Sequence, residues 1–394
     1  MGWERHQAFI IDRPVSPILW RWILFGVLSI LSSVLLFILH ANKYWFFLET
    51  INIWLLSFFP LAFWLLMFSV RGYFYSRALE KYELLQAEAH HAQDEWRSWG
   101  ARYLAVLDSH VLLPDRITAS LLVNKRIVET NNYDNVLSID YLPYEKSLLE
   151  VAEILTESIL SSLRTLPVDI PLHITVFTDA SDEACTFLDS NFLGLWKSII
   201  PAVPLPVSFR IMRNDQFSEL DFRLKRAEAW SEVIIIMQFN REGGYSDGAA
   251  IFLLSSDDTV RNYNLHGKCR WLRPMPLDKS KLSSELNDFF NIQICAIKTQ
   301  GIVSDCQEIN AFNTQLFPIG YRFGAPWQVE NSLVLEKYMG VPGPFSGWLC
   351  AAIAFDMAEL CSKSFLAISV QEPVSWISTV LPWSENEDDK PSVA

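Results

Sequence analysis

The stretch Glu232–Ser255 reads EVIIIMQFNREGGYSDGAAIFLLS and decides the fold of this chain. It holds two apolar runs, Glu232–Phe239 and Ala249–Ser255, joined by the turn-rich segment REGGYSDG. Short apolar runs rich in β-branched residues are typical of strands that are buried on both faces of a sheet. We therefore predict a central strand pair joined by a hairpin loop.

Further strands and helices alternate around this pair. The predicted strands are Leu172–Thr178, Pro206–Arg213 and Phe365–Gln371. The predicted helices are Glu145–Leu166, Asp182–Ile199, Leu220–Trp230, Lys281–Phe290 and Trp348–Cys361. This alternation indicates one layered α/β domain of about 270 residues, 111–384, with no exact internal repeat. The tail 385–394 is acidic, and we expect it to be loosely held.

The hydrophobic excess lies at the front of the chain. Residues 22–42 and 50–70 are two runs of 21 residues without a charge. A helix needs about 20 apolar residues to cross a bilayer, so we predict a transmembrane hairpin with a short external loop, 43–49. The alternatives are a pair of buried core helices or a cleaved signal peptide. The first run starts late for a signal peptide, and it is followed by no A-x-A cleavage site.

Basic residues around the two runs set the predicted orientation. They are Arg5, Arg13 and Arg21 before the first run, Lys43 between the runs, and Arg71, Arg77 and Lys81 after the second. The positive-inside rule then places the tail 1–21 and the C-terminal domain in the cytoplasm. The chain is therefore predicted to be a multi-pass membrane protein with both termini in the cytoplasm.

Charge and composition exclude several classes of protein. The chain is 51% hydrophobic with a formal net charge of −13, and residues 1–70 hold only three Asp or Glu. The predicted cytoplasmic part is therefore strongly acidic, which argues against nucleic acid as a partner. The six cysteines all lie in that part, and we expect them to be reduced.

Residues 71–110 follow the second run and predict a helical stalk. Two sets of residues recur every seven positions: Tyr75, Tyr82, Ala89, Trp96 and Tyr103, and Ala78, Leu85, Ala92, Trp99 and Val106. Such a 75–106 heptad seam needs a covering surface. That surface is either a second copy, giving a homodimer, or the domain of the same chain.

The motif inventory supplies little chemistry. The chain has no CxxC, HExxH, EF-hand, P-loop, GxGxxG or GxSxG motif. Cys185 lies in the first turn of a predicted helix, where a thiol pKa falls, but acidic neighbours oppose this. Cys306 has the same acidic surroundings, and Cys269, with basic neighbours, is the expected exposed reactive thiol. We predict no catalytic, cofactor-binding or metal residues.

Two other groups of residues call for comment. His90 and His91 form i,i+4 pairs with Asp94 and Glu95, which could hold a metal but are more typical of a solvated helix face. Five tryptophans fall within the predicted domain, and core packing is the first expectation for each, with an interface hot spot as the alternative. They are Trp271, Trp327, Trp348, Trp376 and Trp383.

Three segments resemble parts of thiolase and ketosynthase domains. Ser246–Ser256 (SDGAAIFLLSS) is similar to the strand that closes their first half, and Phe345–Leu360 (FSGWLCAAIAFDMAEL) to a Gly/Ala-rich helix of their second half. Ser304–Gln315 is placed as in that fold. The resemblance implies a thiolase-like domain with a catalytic Cys and two His residues. Because no His follows His266, the sequence departs from the pattern and implies a pseudoenzyme.

The anchor, stalk and degenerate domain together resemble bacterial type VI secretion-associated inner-membrane accessory and effector-adaptor proteins. That resemblance implies a non-catalytic protein that recruits or loads an effector or a machine component through a protein partner. The alternative is an acyl-transfer or acyl-binding enzyme on the thiolase-like fold. An immunity or envelope protein acting outside the cell is a third hypothesis, which the predicted orientation disfavours.

Overall fold

The structure is a computed structural model that divides into two compact units, His6–Glu95, and Met1–Arg5 together with Trp96–Ala394. It describes residues 2–3, 11–42, 52–124, 131–142, 147–201, 203–213, 218–225, 229–239, 244–370 and 375–384. The predicted external loop 43–49 and the acidic tail 385–394 lie outside these residues.

The smaller unit is a helical hairpin of α1 (Leu19–Ala41) and the first part of α2 (Ile53–Gly100). The indole N–H of Trp64 donates to the Trp22 carbonyl at 3.0 Å. A Cβ on Gly26 would approach the Trp64 ring at 2.9 Å, so this glycine lets the two helices come close together. Both helices have the length and composition to cross a membrane, and almost none of their apolar surface is buried.

Helix α2 continues without a break from the apolar segment into the predicted stalk, a length of roughly 70 Å at 1.5 Å per residue. The heptad pattern predicted helix as far as Val106, but the helix ends at Gly100. Tyr103 and Val106, the last members of the seam, instead lie in a buried strand. The seam therefore stops within α2, and the stalk is shorter than the predicted 71–110.

The larger unit contains, among the described residues, one mixed sheet of eleven strands. The strands are β1 (Tyr103–Leu112), β2 (Leu172–Thr178), β3 (Ser208–Met212), β4 (Ser231–Gln238), β5 (Gly248–Ser256), β6 (Cys269–Leu272), β7 (Met275–Leu277), β8 (Gly301–Ser304), β9 (Ser332–Val334), β10 (Phe365–Ser369) and β11 (Ser375–Pro382). The predicted central pair is confirmed: β4 and β5 are antiparallel and every residue in both is buried.

The sheet consists of two halves with the same topology. The first half has the order β3-β2-β4-β5-β1 and the second the order β9-β8-β10-β11-β6. In each half the first three strands of that order are parallel to one another. The fourth strand is antiparallel to the third, and the fifth is antiparallel to the fourth. Strands β1 and β6 pair antiparallel and join the halves. The chain therefore repeats one topology twice, although the sequence shows no exact repeat.

The helices of this unit form layers on the sheet. They are α3 (Ala119–Val123), α4 (Leu148–Ser158), α5 (Leu160–Thr165), α6 (Asp182–Ile199), α7 (Ser218–Lys225), α8 (Asp257–Tyr263), α9 (Leu282–Ile292), α10 (Ile309–Phe323), α11 (Glu336–Met339) and α12 (Ser346–Cys361). The predicted single helix Glu145–Leu166 is two helices, because the helical path breaks at Ile159.

Three hydrophobic clusters define the layers. Helices α4, α5 and α6 pack on one face of the first half, and α9 and α10 pack on one face of the second. The central cluster joins the remaining faces of both halves through α7 and α12. The predicted layered α/β domain is confirmed, and α12 is the best buried helix within it.

Candidate functional site

A cleft of about 460 Å³ opens where the two halves of the domain meet. Its walls come from the turn before β5, the segment after β8, helix α11 and the loop before α12. They are Tyr245, Cys306, Gln307, Glu308, Glu336, Pro342, Gly343 and Pro344. The carboxyl ends of parallel strands and helix starts meet here, an arrangement that collects ligands in many α/β proteins.

Asp305 lies beneath this cleft, directly after β8, and is completely buried. Its carboxylate accepts hydrogen bonds from the Ser369 hydroxyl, from the Val370 N–H at 3.1 Å and from the Ser346 hydroxyl at 3.3 Å. Burial raises the pKa of Asp305, although these hydrogen bonds oppose the shift. The carboxyl group thus ties the ends of β8 and β10 to the first turn of α12.

The first half contains an equivalent aspartate. Asp179 directly follows β2 and accepts the Phe239 N–H at 3.1 Å, and Phe239 follows β4 as Val370 follows β10. Asp179 also accepts the Tyr245 hydroxyl at 2.9 Å. Because Tyr245 lines the cleft, the first-half aspartate positions one wall and the second-half aspartate supports the floor.

Gln238, at the end of β4, connects the first half to the loop before α12. Its amide donates to the Ser246 carbonyl at 2.7 Å and accepts the Phe345 N–H at 3.0 Å. A Cβ at Gly343 would lie 2.3 Å from this amide, so no larger residue fits there without displacement. The loop wall of the cleft is therefore held from both halves.

The thiols beside this cleft are poorly suited to nucleophilic chemistry. Burial and the neighbouring Asp305 carboxylate raise the pKa of Cys306. Burial also raises the pKa of Cys350, one turn into α12. Since the thiolate is the nucleophile, neither thiol is activated. The pKa of the carboxyl group of Glu336, in the cleft wall, is also raised by burial, with repulsion from Asp134 and Asp305 adding to the effect.

A second polar cluster lies where α12 meets β1. The Lys268 ammonium lies 3.0 Å from Asp108 and 3.3 Å from Glu359. The Ser109 hydroxyl donates to Asp356 at 3.0 Å. Burial raises the pKa of Asp356 to about 6. The sequence offered no signal for this cluster, since its members are separated by up to 251 positions.

The structure separates the cysteines that the sequence singled out. Cys185 lies at the start of α6, in an outer helical layer rather than at the cleft. Cys269 was expected to be exposed and reactive, but this expectation is wrong because the residue is fully buried in β6 and its pKa is raised by burial. Only Cys306 of the three lines the cleft.

The remaining sequence candidates have structural roles. His91 lies 3.5 Å from Glu95 on an exposed face, and no metal-binding group occurs among the residues that the structure describes. Trp271, Trp348 and Trp376 are buried and pack together in the central cluster. Trp327 and Trp383 are partly buried. The indole N–H of Trp327 donates to the Thr299 carbonyl, and that of Trp383 donates to His266.

No protein-family model and no curated protein matches this chain. Among solved structures, it is similar to the oxazolomycin ketosynthase domain OzmH KS8 of Streptomyces albus JA3453, with 8% identity, 71% of this chain and 95% of that chain covered, and a TM-score of 0.48. It is also similar to the FabH 3-oxoacyl-(acyl carrier protein) synthase III of Pseudomonas aeruginosa PAO1, with 11% identity, 72% of this chain and 98% of that chain covered, and a TM-score of 0.43. For the human mitochondrial 3-ketoacyl-CoA thiolase the identity is 8%, the coverage is 72% of this chain and 99% of that chain, and the TM-score is 0.43.

The order and direction of the strands in this chain define its fold. Association with a type VI secretion system stays a prediction.

Proposed function

We propose that this chain is a membrane-anchored protein whose thiolase-like domain binds an acyl group without transferring it. The observation that carries the proposal is the cleft at the start of α12. Its volume of about 460 Å³ lies within the usual range for small-molecule sites, while the thiols next to it are kept protonated. The duplicated sheet around central helices supports the thiolase-like assignment.

The absence of a histidine after His266 and the raised pKa of Cys306 favour binding over transfer. Covalent acyl transfer through a thiol needs a thiolate and a group that accepts its proton. Cys306 lies against Asp305 rather than a cation, and no histidine follows His266 in the sequence. An acyl group could therefore occupy the cleft without a nucleophile to attack it.

Charge narrows the class of acyl ligand. Glu308 and Glu336 line the cleft, and no Lys or Arg is among the described residues that line it. Phosphate groups would face these carboxylates at a cost, so we expect neutral esters or thioesters to bind better than coenzyme A derivatives.

The test uses the full chain in detergent micelles and a neutral probe, the hexanoyl thioester of N-acetylcysteamine. Titration calorimetry should give saturable binding, and Gln307→Trp, at the exposed mouth, should weaken it roughly tenfold, or about 1.4 kcal/mol. Asn310→Trp, exposed on α10 outside the lining, is the matched control and should bind normally. Failure of the wild-type chain to bind would refute the proposal. Thiol release that Cys306→Ala abolishes would show that transfer does occur.

We also propose that residues 22–42 and 50–70 cross a bilayer, with both termini in the cytoplasm. The exposed apolar surface of α1 and of the first part of α2 supports this. A periplasmic reporter fused after Ala394 should be silent, and a strong signal would reverse the orientation.

The predicted role in recruiting a secretion-system component or effector needs a separate test. Cross-linking in native membranes followed by mass spectrometry should recover secretion-spike, baseplate or toxin proteins if that role is correct. Recovery of acyl-lipid enzymes alone would favour the acyl-binding function without such a role.

A further inference from the structure

The segment before α1 makes specific contacts with the larger unit. The backbone N–H of Gly2 donates to Glu285 Oε1 at 2.5 Å, and the indole N–H of Trp3 donates to the Pro274 carbonyl at 3.3 Å. Residues 2–3 belong to the same compact unit as Trp96–Ala394. This short segment, which we call the arm, therefore belongs to the larger unit, which includes the last residues of α2, and not to the helical hairpin.

The Trp3 side chain occupies an aromatic socket. Its ring meets Trp99, in the last turn of α2, edge to face at 5.1 Å between centroids, and lies 5.7 Å from Phe289 of α9. The Arg273 guanidinium stacks on Trp99 at 4.0 Å, and Trp96 packs edge to face on the same ring at 5.1 Å. Edge-to-face pairs and a cation on an indole face each stabilise such a cluster beyond the area that it buries.

The contact of Gly2 depends on its small size. A Cβ at this position would lie 2.8 Å from the Glu285 side chain. Glu285 is buried, and its second oxygen accepts the Asp278 N–H at 2.6 Å. Both oxygens of this carboxylate are thus engaged, one by the arm and one by the turn before α9.

The C-terminal end of α2 is hydrogen-bonded to the larger unit close to the Trp3 socket. The guanidinium Nε–H of Arg273 donates to the Trp99 carbonyl at 3.1 Å, and the side-chain amide of Gln293 donates to the Gly100 carbonyl at 3.0 Å. These two bonds satisfy carbonyls that the helix end leaves open. The chain segments on both sides of the apolar hairpin therefore attach to one unit, through the arm and through the end of α2.

We propose that the arm is an intramolecular clasp, with Trp3 as the anchor that docks in the socket of its own chain. The clasp holds residues 2–3, which precede α1 in the sequence, within the unit that also contains the end of α2. This inference goes beyond acyl binding and does not depend on it. A second copy that donates its arm to the same socket is the competing arrangement.

Cross-linking of paired cysteines distinguishes the two arrangements. The full chain in native membranes carries Gly2→Cys and Glu285→Cys, which leave Trp3 and its socket in place, with serine at the half-buried Cys185, Cys295 and Cys361. Mild oxidation should link the pair within one chain, giving a monomer band with a shifted mobility. The pair Gly2→Cys and Val168→Cys is the control, because Val168 is exposed on the first half, and it should not cross-link.

Two results would overturn the clasp. Cross-linking only in a dimer band would assign the arm to a neighbouring copy. Absence of any cross-link, together with an unchanged midpoint of thermal unfolding in Trp3→Ala, would show that the socket is not occupied. A clasp instead predicts that Trp3→Ala lowers this midpoint by a few degrees, whereas Trp20→Ala, exposed in α1, leaves it unchanged.

Discussion

The two halves of the domain share one strand order, yet their central helices differ greatly. Helix α7 in the first half spans eight of the described residues, whereas α12, between the corresponding strands of the second half, has sixteen residues, of which twelve are buried. The aspartates that follow β2 and β8 make the same bond to the strand end beside them. The repeat thus persists in strands and turns, while the centre of the molecule depends mainly on one helix.

The largest expected effect tests this asymmetry at Trp348. Its ring is fully buried and packs on Phe177, Phe252 and Trp271, which come from both halves. Trp348→Ala should lower the free energy of unfolding by about 3 to 5 kcal/mol, because it leaves a cavity lined by both halves of the one sheet. Chemical denaturation in detergent measures the change.

The control for Trp348 is Phe222→Ala in α7. Phe222 is 58% exposed, so its removal should change the free energy of unfolding by less than about 1 kcal/mol. Comparable losses for the two variants would mean that the central helices contribute equally, and the proposed asymmetry would be wrong.

A smaller effect is expected from the paired aspartates. Asp305→Ala leaves the Val370 N–H and two serine hydroxyls without their buried acceptor, and should cost about 3 kcal/mol. Asp179→Ala removes the acceptor of Phe239 and Tyr245 at a half-buried position, where water can replace it, and should cost about 1 kcal/mol. Equal costs would show that burial of the two sites does not distinguish the halves.

The sequence predicted the half-repeat only in part. Apolar runs identified β2, β4, β5 and β10, because buried strands of this length need continuous hydrophobic residues, and the predicted strand Pro206–Arg213 contains β3. Strands β8 and β9 have only four and three residues, too short for a periodic pattern. The repeat was therefore hidden, since half of its strands gave no signal.

Strand β1 was misassigned for a different reason. Tyr103 and Val106 continued the heptad of α2 by coincidence, so the sequence favoured helix where the chain forms a strand between β5 and β6. Gly100 was the available signal of a helix end, and its close contact with Ile292 gives a tertiary reason for the break.

The sequence predicted the weak reactivity of Cys306, but it predicted no cleft around this residue. Acidic neighbours of Cys306 in the sequence predicted a poor nucleophile, and the raised pKa agrees with this. The cleft itself depends on Gln238 and Gly343, which are 105 positions apart and carry no recognisable motif. Contacts between distant loops follow from the folded topology, which local patterns do not encode.

An effect smaller than those of Trp348→Ala and Asp305→Ala is expected at Asp356, in α12 at the junction with β1 and β6. Its neighbours are Ser109, Lys268, Asp108 and Glu359. Burial raises its pKa from 3.8 to about 6 in the folded chain, so the folded state favours the protonated carboxyl. This contribution is fully present below about pH 4 and is lost as the pH rises through about 6.

Between pH 4 and pH 7 the folded state should therefore lose stability on the order of 2 kcal/mol from this group, since each pKa unit corresponds to about 1.4 kcal/mol. Asp356→Asn keeps an acceptor for Ser109 and cannot ionise. Its free energy of unfolding should match the wild type near pH 4 and exceed it by that amount at pH 7. Glu359→Gln replaces a more exposed carboxylate of the cluster, and its free energy of unfolding should not gain on the wild type between pH 4 and pH 7 in this way. A wild-type pH profile that Asp356→Asn leaves unaltered would mean that Lys268 keeps Asp356 ionised, and the second half would then hold no protonated carboxyl at this junction.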